Sequence, residues 1–269
     1  MAFGSMTDAL PRTEGKPGMS DCGVPFVSII IPAYNEVHRL EASIRALREY
    51  LAAARWSHET LIVVERSSDG TLDLARRITE GDPAITVVGH DMQRGKGYAV
   101  RAGMLRARGE IAFFMDADLS TPLSEMDAFL ARFAIAPEVD VLIGNRRHAG
   151  SEILKRQSFI RMKMGQTFNT LLRAFGGIRF ADTQCGFKAF RRRACEAIFS
   201  RQTIDGFAFD VEVLLIAERL GFKVEDLPVR WSNAEGSKVR LVRDSVRMLA
   251  DAIRVRRLVA RTLGREANP

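Results

Sequence analysis

The chain has 269 residues, 46% of them hydrophobic and 27% charged, which supplies one sizeable core and excludes a wholly disordered chain. Its formal net charge of +7 points to an anionic partner: nucleic acid, a lipid headgroup or a nucleotide. No apolar run approaches the ~20 residues that span a bilayer, and Cys22, Cys185 and Cys195 lack zinc-site spacing.

Residues 1–24, rich in glycine and broken by proline, read as a flexible arm without a signal-peptide apolar stretch. Three cysteines without such a signal suggest reduced thiols and a cytoplasmic setting. Residues 27–32 are almost continuously apolar and predict a buried parallel strand; Leu40, Ile44, Leu47 and Leu51 then mark a helical stripe. Residues 61–64 predict a second strand, and the turn at residues 67–70 caps a helix through Leu72, Ala75 and Ile78. Residues 84–88 predict a third strand, and Arg94-Gly95-Lys96-Gly97 opens a helix through Val100, Met104 and Leu105. Residues 111–115 form a fourth predicted strand ending in Asp116, and Leu119-Ser120-Thr121-Pro122 starts the next helix. Later come strands at 139–144 and 224–229, a helix over 159–175, and a terminal amphipathic helix over 244–263.

Strands alternating with helices predict an α/β fold around a mostly parallel sheet, with ligands bound beyond the strands' carboxyl ends. Asn35, Glu65, Arg94 and Asp116 all follow predicted strands, so four loops bring polar groups to one edge. The domain spans residues 25–237. Residues 238–269 carry nine basic against three acidic residues and form a tail for the domain surface or a membrane interface.

Asp116-Ala117-Asp118 is the sharpest motif: two carboxylates at a strand end can share a hard divalent cation, Mg²⁺ or Mn²⁺, with substrate phosphates. Residues 93–97 resemble a phosphate loop, with glycines for close approach and a helix start behind them, but lack Walker A spacing. There is no Rossmann glycine fingerprint, and no recognition-helix or aromatic-interleaved basic motif for nucleic acid. Asp210 and Glu212 precede an apolar helix and suit capping; Cys185 suits a small buried filler.

Residues 27–40, 94–101, 116–122, 182–190 and 206–214, in this order and spacing, resemble the family-2-type glycosyltransferases. Within that family, DADLSTP, DTQCGFK and FAFDVEVL resemble most the dolichyl-phosphate β-glucosyltransferases and their prokaryotic relatives, with dolichyl-phosphate mannose synthases, users of GDP-mannose, as the near alternative. The resemblance implies a GT-A fold and an inverting transfer of a hexose, glucose from UDP-glucose, to a polyprenyl or dolichyl phosphate at the cytoplasmic face of a membrane. By the same resemblance Pro32, Ala33, Tyr34 and Glu36 surround the nucleoside, Arg94, Lys96 and Ala117 lie along the donor, and Asp116 and Asp118 hold metal and diphosphate. Asp182 falls near the reacting centre as base or positioning group, and Arg146, Arg161 and Lys238 would receive the acceptor phosphate. The family's Asp-Asp-Gly-Ser is replaced here by Val64-Glu65-Arg66-Ser67, leaving Glu65 to accept hydrogen bonds from a base. A same-fold transferase with a non-lipid acceptor is the further alternative, and the absence of Gln-x-x-Arg-Trp argues against a processive synthase.

Overall fold

Three of the four apolar runs of the N-terminal half become strands buried on both faces, as a helix-covered parallel sheet requires, while residues 85–89 form a partly exposed edge strand. The computed structural model describes residues 24–155 and 179–233. β1 (Val27–Ala33) pairs in parallel with β2 (His58–Val64) from Val27 opposite His58 to Ala33 opposite Val64. β3 (Ile85–Gly89) flanks β2, and β4 (Ile111–Met115) lies in parallel on the other side of β1. The crossovers are α1 (Leu40–Ala52), α2 (Thr71–Ile78) and α3 (Lys96–Met104); the predicted α1 stripe, Leu40, Ile44, Leu47 and Leu51, is buried. α4 (Glu125–Ile135) leads from β4 to β5 (Val141–Asn145), starting three residues after Pro122 rather than within residues 119–122.

The second half departs from simple alternation. β6 (Glu152–Lys155) leaves the main sheet and pairs in parallel with β9 (Arg230–Ser232) as a separate two-stranded ribbon. β7 (Phe187–Arg191) inserts antiparallel between β4 and β5. α5 (Arg192–Phe199) and α6 (Phe209–Arg219) follow, and β8 (Val224–Pro228) closes the sheet beside β5, in the order β3-β2-β1-β4-β7-β5-β8.

Two apolar layers cover the sheet. On one face Ile30, Val63, Phe114 and Phe190 meet Val100 of α3, Ile198 of α5 and Leu214 of α6. On the other, Ile29, Ile31, Phe113 and Phe187 meet Leu47 of α1, Leu74 of α2 and Phe129 of α4. Phe129 and Phe187 stack edge to face, 4.9 Å between ring centres, a geometry aromatic quadrupoles favour. Both faces being sealed, polar side chains collect at the sheet's carboxyl edge.

The arm before Val24, the helices expected over 159–175 and 244–263, and with them Arg161 and Lys238, lie outside the described residues. Among the described residues no helix is long and apolar enough to cross a membrane.

Candidate active site

The first two loops at this edge are stitched to each other. The backbone amides ahead of α1 lack intrahelical acceptors, so they need partners from elsewhere. Asn35 N donates to Ser67 Oγ (3.0 Å), Glu36 N to Thr71 Oγ1 (2.8 Å) and Val37 N to Asp69 Oδ2 (3.2 Å). Asn35 itself takes a left-handed backbone, φ 53°, and its Oδ1 accepts Ser68 N at 2.9 Å. A non-glycine residue so placed costs strain that its loop contacts must offset, a feature common at binding sites. Pro32 and Ala33 end β1, with the Ala33 carbonyl accepting Glu65 N at 3.1 Å. Tyr34 and Glu36 are half-buried beyond them, and Glu36 pairs with Arg39 at 2.6 Å.

Glu65 is 3% exposed, and its Oε1 accepts the amides of Arg94 (2.9 Å) and Gly95 (2.7 Å). That oxygen therefore pins the phosphate-loop backbone. The two glycines of that loop make their close approach to protein: a Cβ on Gly95 would fall 2.5 Å from the Asp205 carbonyl oxygen, and one on Gly97 2.4 Å from that of Ile204. Arg94 turns outward, with Nη2 2.7 Å from Asp205 and its guanidinium 4.2 Å from the Tyr98 ring centre. The facing loop is pinned in turn. Glu212 accepts Thr203 N (2.9 Å), Thr203 Oγ1 (2.6 Å) and Ile204 N (2.7 Å), capping amides eight and nine residues before it. The result is a rigid double loop that delivers Lys96, the first residue of α3, to the edge.

Lys96 Nζ lies 2.6 Å from Asp116 Oδ1. Asp116 N donates to the Gly186 carbonyl at 3.2 Å, and a Cβ on Gly186 would fall 2.0 Å from Asp116 Oδ2. Asp118 Oδ1 accepts Ser120 N at 3.0 Å while its Oδ2 lies 3.8 Å from Arg39 Nη1. Leu119 between them has φ 48°, a second strained residue at this edge. Ala117 points away: its side chain is in the core, and its carbonyl accepts Ser43 Oγ at 2.6 Å. Asp116 and Asp118 thus offer two partly exposed hard carboxylates. Among the described residues no cluster of three or more acidic, histidine or cysteine side chains is arranged for a metal. Two carboxylates completed by substrate phosphates and water is the usual way Mg²⁺ is held, so this donor set fits a shared cation.

The other flank is built on Asp182 and Arg146, which the fold brings together. Asp182 is 1% exposed; its Oδ2 accepts Arg146 N (3.0 Å) and Nε (2.7 Å), and its Oδ1 accepts Nη2 (2.8 Å). Burial alone would raise the Asp182 carboxyl, but the Arg146 charge and these bonds hold it below the usual carboxylate range. The Arg146 guanidinium sits 5.4 Å from the Trp231 ring centre, on β9. β9 is anchored beside the Asp118 loop, with Ser232 N donating to the Ser120 carbonyl at 2.8 Å and Arg230 to Glu125 at 2.6 Å.

Behind these groups lies a fully buried ion pair. Lys188, 0% exposed, bonds Asp210 and also the Cys185 carbonyl (2.7 Å). Burial raises the Asp210 carboxyl, with Lys188 and Lys96 opposing it. Sequence reasoning did not assign Gly186, Lys188 or Trp231 to the site. The available signal was Lys188 itself, a charge inside an otherwise apolar run, which demands a buried partner.

An α/β sheet whose carboxyl edge joins a carboxylate pair, a lysine delivered on a helix start and a buried arginine–carboxylate pair has the architecture of a GT-A glycosyltransferase. The sequence matches the model of glycosyl transferase family 2 over residues 28–199, and the chain belongs to that family. It is similar to dolichyl-phosphate β-glucosyltransferase of Saccharomyces cerevisiae, 33% identical over 250 residues, covering 86% of this chain and 74% of the yeast protein. The Drosophila melanogaster protein of that name is 33% identical, covering 85% of this chain and 73% of the relative; the Homo sapiens protein is 30% identical, covering 86% and 75%. Among solved structures, Mycobacterium tuberculosis glucosyl-3-phosphoglycerate synthase with Mn²⁺, UDP-glucose and glycerol 3-phosphate superposes with TM-score 0.65 at 16% identity, covering 92% of this chain and 88% of that one. Mannosyl-3-phosphoglycerate synthase from Rubrobacter xylanophilus gives 0.64 at 18%, covering 91% and 76%. At such identity these two speak for the fold alone.

Proposed function

We propose that this protein transfers glucose from UDP-glucose to dolichyl phosphate, or a polyprenyl phosphate of that kind, with inversion at the anomeric carbon. The observation that carries the reading is the edge where Asp116, Asp118 and Lys96 converge, in a chain whose relatives across most of its length are named for that transfer. Pro32, Ala33, Tyr34 and Glu36 line the nucleoside side of the site. Lys96 meets the donor diphosphate. Arg94 and Glu65 act on the donor indirectly, by fixing the loop that presents Lys96. When bound at Asp116 and Asp118, Mg²⁺ or Mn²⁺ supplies charge neutralisation for the departing diphosphate.

The acceptor needs no strong base. A phosphate monoester has a second pKa of ~6 and is already anionic near neutral pH. Asp182, with both oxygens bonded to Arg146 and its carboxyl held acidic, is a positioning residue. It fixes Arg146 in one rotamer, so that the face of the guanidinium outside that pair receives the acceptor phosphate beside Trp231. Arg161 and Lys238 extend this basic site, and the protein works peripherally at the cytoplasmic face of a membrane, where its lipid acceptor lies.

The test is incubation with UDP-[¹⁴C]glucose, dolichyl phosphate and Mn²⁺ or Mg²⁺, followed by solvent extraction. A labelled lipid is expected, and abolished by Asp118→Ala. Absence of labelled lipid from UDP-glucose, with label from GDP-mannose instead, would overturn the donor assignment; no labelled lipid from either would overturn the acceptor.

A further inference from the structure

The ammonium of Lys96 occupies contested ground. It lies 2.6 Å from Asp116 Oδ1, and any divalent cation bound by Asp116 and Asp118 would compete for that oxygen. Lys96 also interacts electrostatically with Asp210 and Asp118, and its Nζ is 5.9 Å from the Phe114 ring centre. Phe114 faces a second ammonium, that of Lys188, at 5.0 Å, and Lys188 is already bound to Asp210. In this one position the ammonium is held by the Asp116 carboxylate at the mouth, with the Phe114 face behind it and the Asp210 carboxylate already taken by Lys188. Two positive charges cannot share one carboxylate oxygen at low cost in a partly desolvated site.

Resting on the metal reading above, we propose that Lys96 is the resident counter-ion of Asp116 in the donor-free enzyme, and that a divalent cation binds Asp116 only by displacing it. The displaced ammonium then finds its partner in the donor diphosphate. Cation and donor consequently strengthen each other's binding, and a cation alone binds weakly. Lys96 is thus both a donor ligand and the device that keeps the site from filling with metal before the nucleotide arrives.

The experiment is titration of the full chain with Mn²⁺, read as free Mn²⁺ by electron paramagnetic resonance, with and without saturating UDP. Lys96→Met removes the charge and keeps an unbranched side chain one atom shorter; Lys96→Gln is the second variant. Donor-free Mn²⁺ affinity is expected to rise about tenfold or more in both, since removal of a like charge at contact distance is worth at least that. Unchanged or weaker donor-free affinity in the variants, with Mn²⁺ still bound by wild type in the presence of UDP, overturns the proposal and leaves the metal reading standing. No Mn²⁺ bound by wild type with or without UDP overturns the metal reading and this proposal with it. Should both variants fail to fold, the wild type decides. Acylation of Lys96 by an amine-reactive ester, followed by peptide mass spectrometry, should rise several-fold at saturating Mn²⁺. A rate indifferent to Mn²⁺ overturns the proposal.

Discussion

Gly186→Ala should separate activity from stability. Gly186 does not have a left-handed backbone, so alanine is conformationally acceptable there. The obstacle is the Asp116 carboxylate: the added methyl would lie 2.0 Å from Oδ2, 2.5 Å from Cγ and 2.9 Å from Oδ1. An ordinary carbon–oxygen contact is ~3.3 Å or more, so the carboxylate must move by more than ~1 Å. The Asp116 side chain is 36% exposed and can rotate toward solvent, so the fold should lose no more than the ~1–3 kcal/mol typical of overpacking. Its ion pair with Lys96 would not survive the move, and a displacement of ~1 Å in a reacting constellation costs on the order of 10²-fold in rate. Glucose transfer to dolichyl phosphate and the thermal melt, measured on the same preparation, check this. Transfer within about threefold of wild type would refute the claim that Gly186 is glycine to make room for Asp116.

Gly97→Ala sets a methyl 2.4 Å from the Ile204 carbonyl oxygen and 2.6 Å from Phe209 Cβ, so the melting temperature should fall, by ~2–4 °C for each kcal/mol of overpacking, whereas Gly206→Ala, with nothing within 4 Å, should leave it unchanged. Asp182→Asn leaves the Arg146 charge without its carboxylate and should cost ~3–5 kcal/mol in urea unfolding near neutral pH. Because the folded-state pKa of Asp182 lies below its unfolded value, its contribution is full above the ordinary carboxylate pKa of ~4 and is lost as pH falls through the folded value; the gap between wild type and variant should therefore hold from neutral pH down to ~4 and narrow only below it. Burial pushes the Cys185 thiol up to about 11 and that of Cys195 up to about 12, so iodoacetamide at pH ~8 should label neither until denaturant opens the core, as peptide mass spectrometry would show.

The N-terminal half was legible because strands buried on both faces must be apolar at nearly every position, a rule that β4 obeys throughout, β1 everywhere but at Ser28 and Pro32, and β2 from Leu61 onward. The edge groups were legible for a related reason: chain leaving a parallel strand always leaves on the same side, so Asn35, Glu65 and Asp116 had to converge. What each would face was not. Glu65 stands where a base-reading carboxylate was expected, yet its Oε1 partners are amides 29 and 30 residues further on. β7 escaped notice because Lys188 breaks its apolar pattern, and the carboxylate that neutralises it lies 22 residues away on α6. Without β7's direction, the contact of Gly186 with Asp116 could not be inferred. The pairing of Arg146 with Asp182 joins two residues that were assigned separate roles, and only the return of β7 to the same edge brings them within reach.

The reversed direction of β7 also shapes what this scaffold can become. β5 leaves the sheet at Asn145 and β7 re-enters at Phe187, both on the edge that holds the Asp116 carboxylate. Asn145 and Phe187 therefore lie side by side, with Arg146 and Asp182 stapled to each other just beyond them and β6 tied to β9 in its own ribbon. The order of the seven-stranded sheet sets no length for the chain between these two strands. Changes in the chain between β5 and β7 need not, by strand order alone, disturb the loops that carry Lys96 and Asp116.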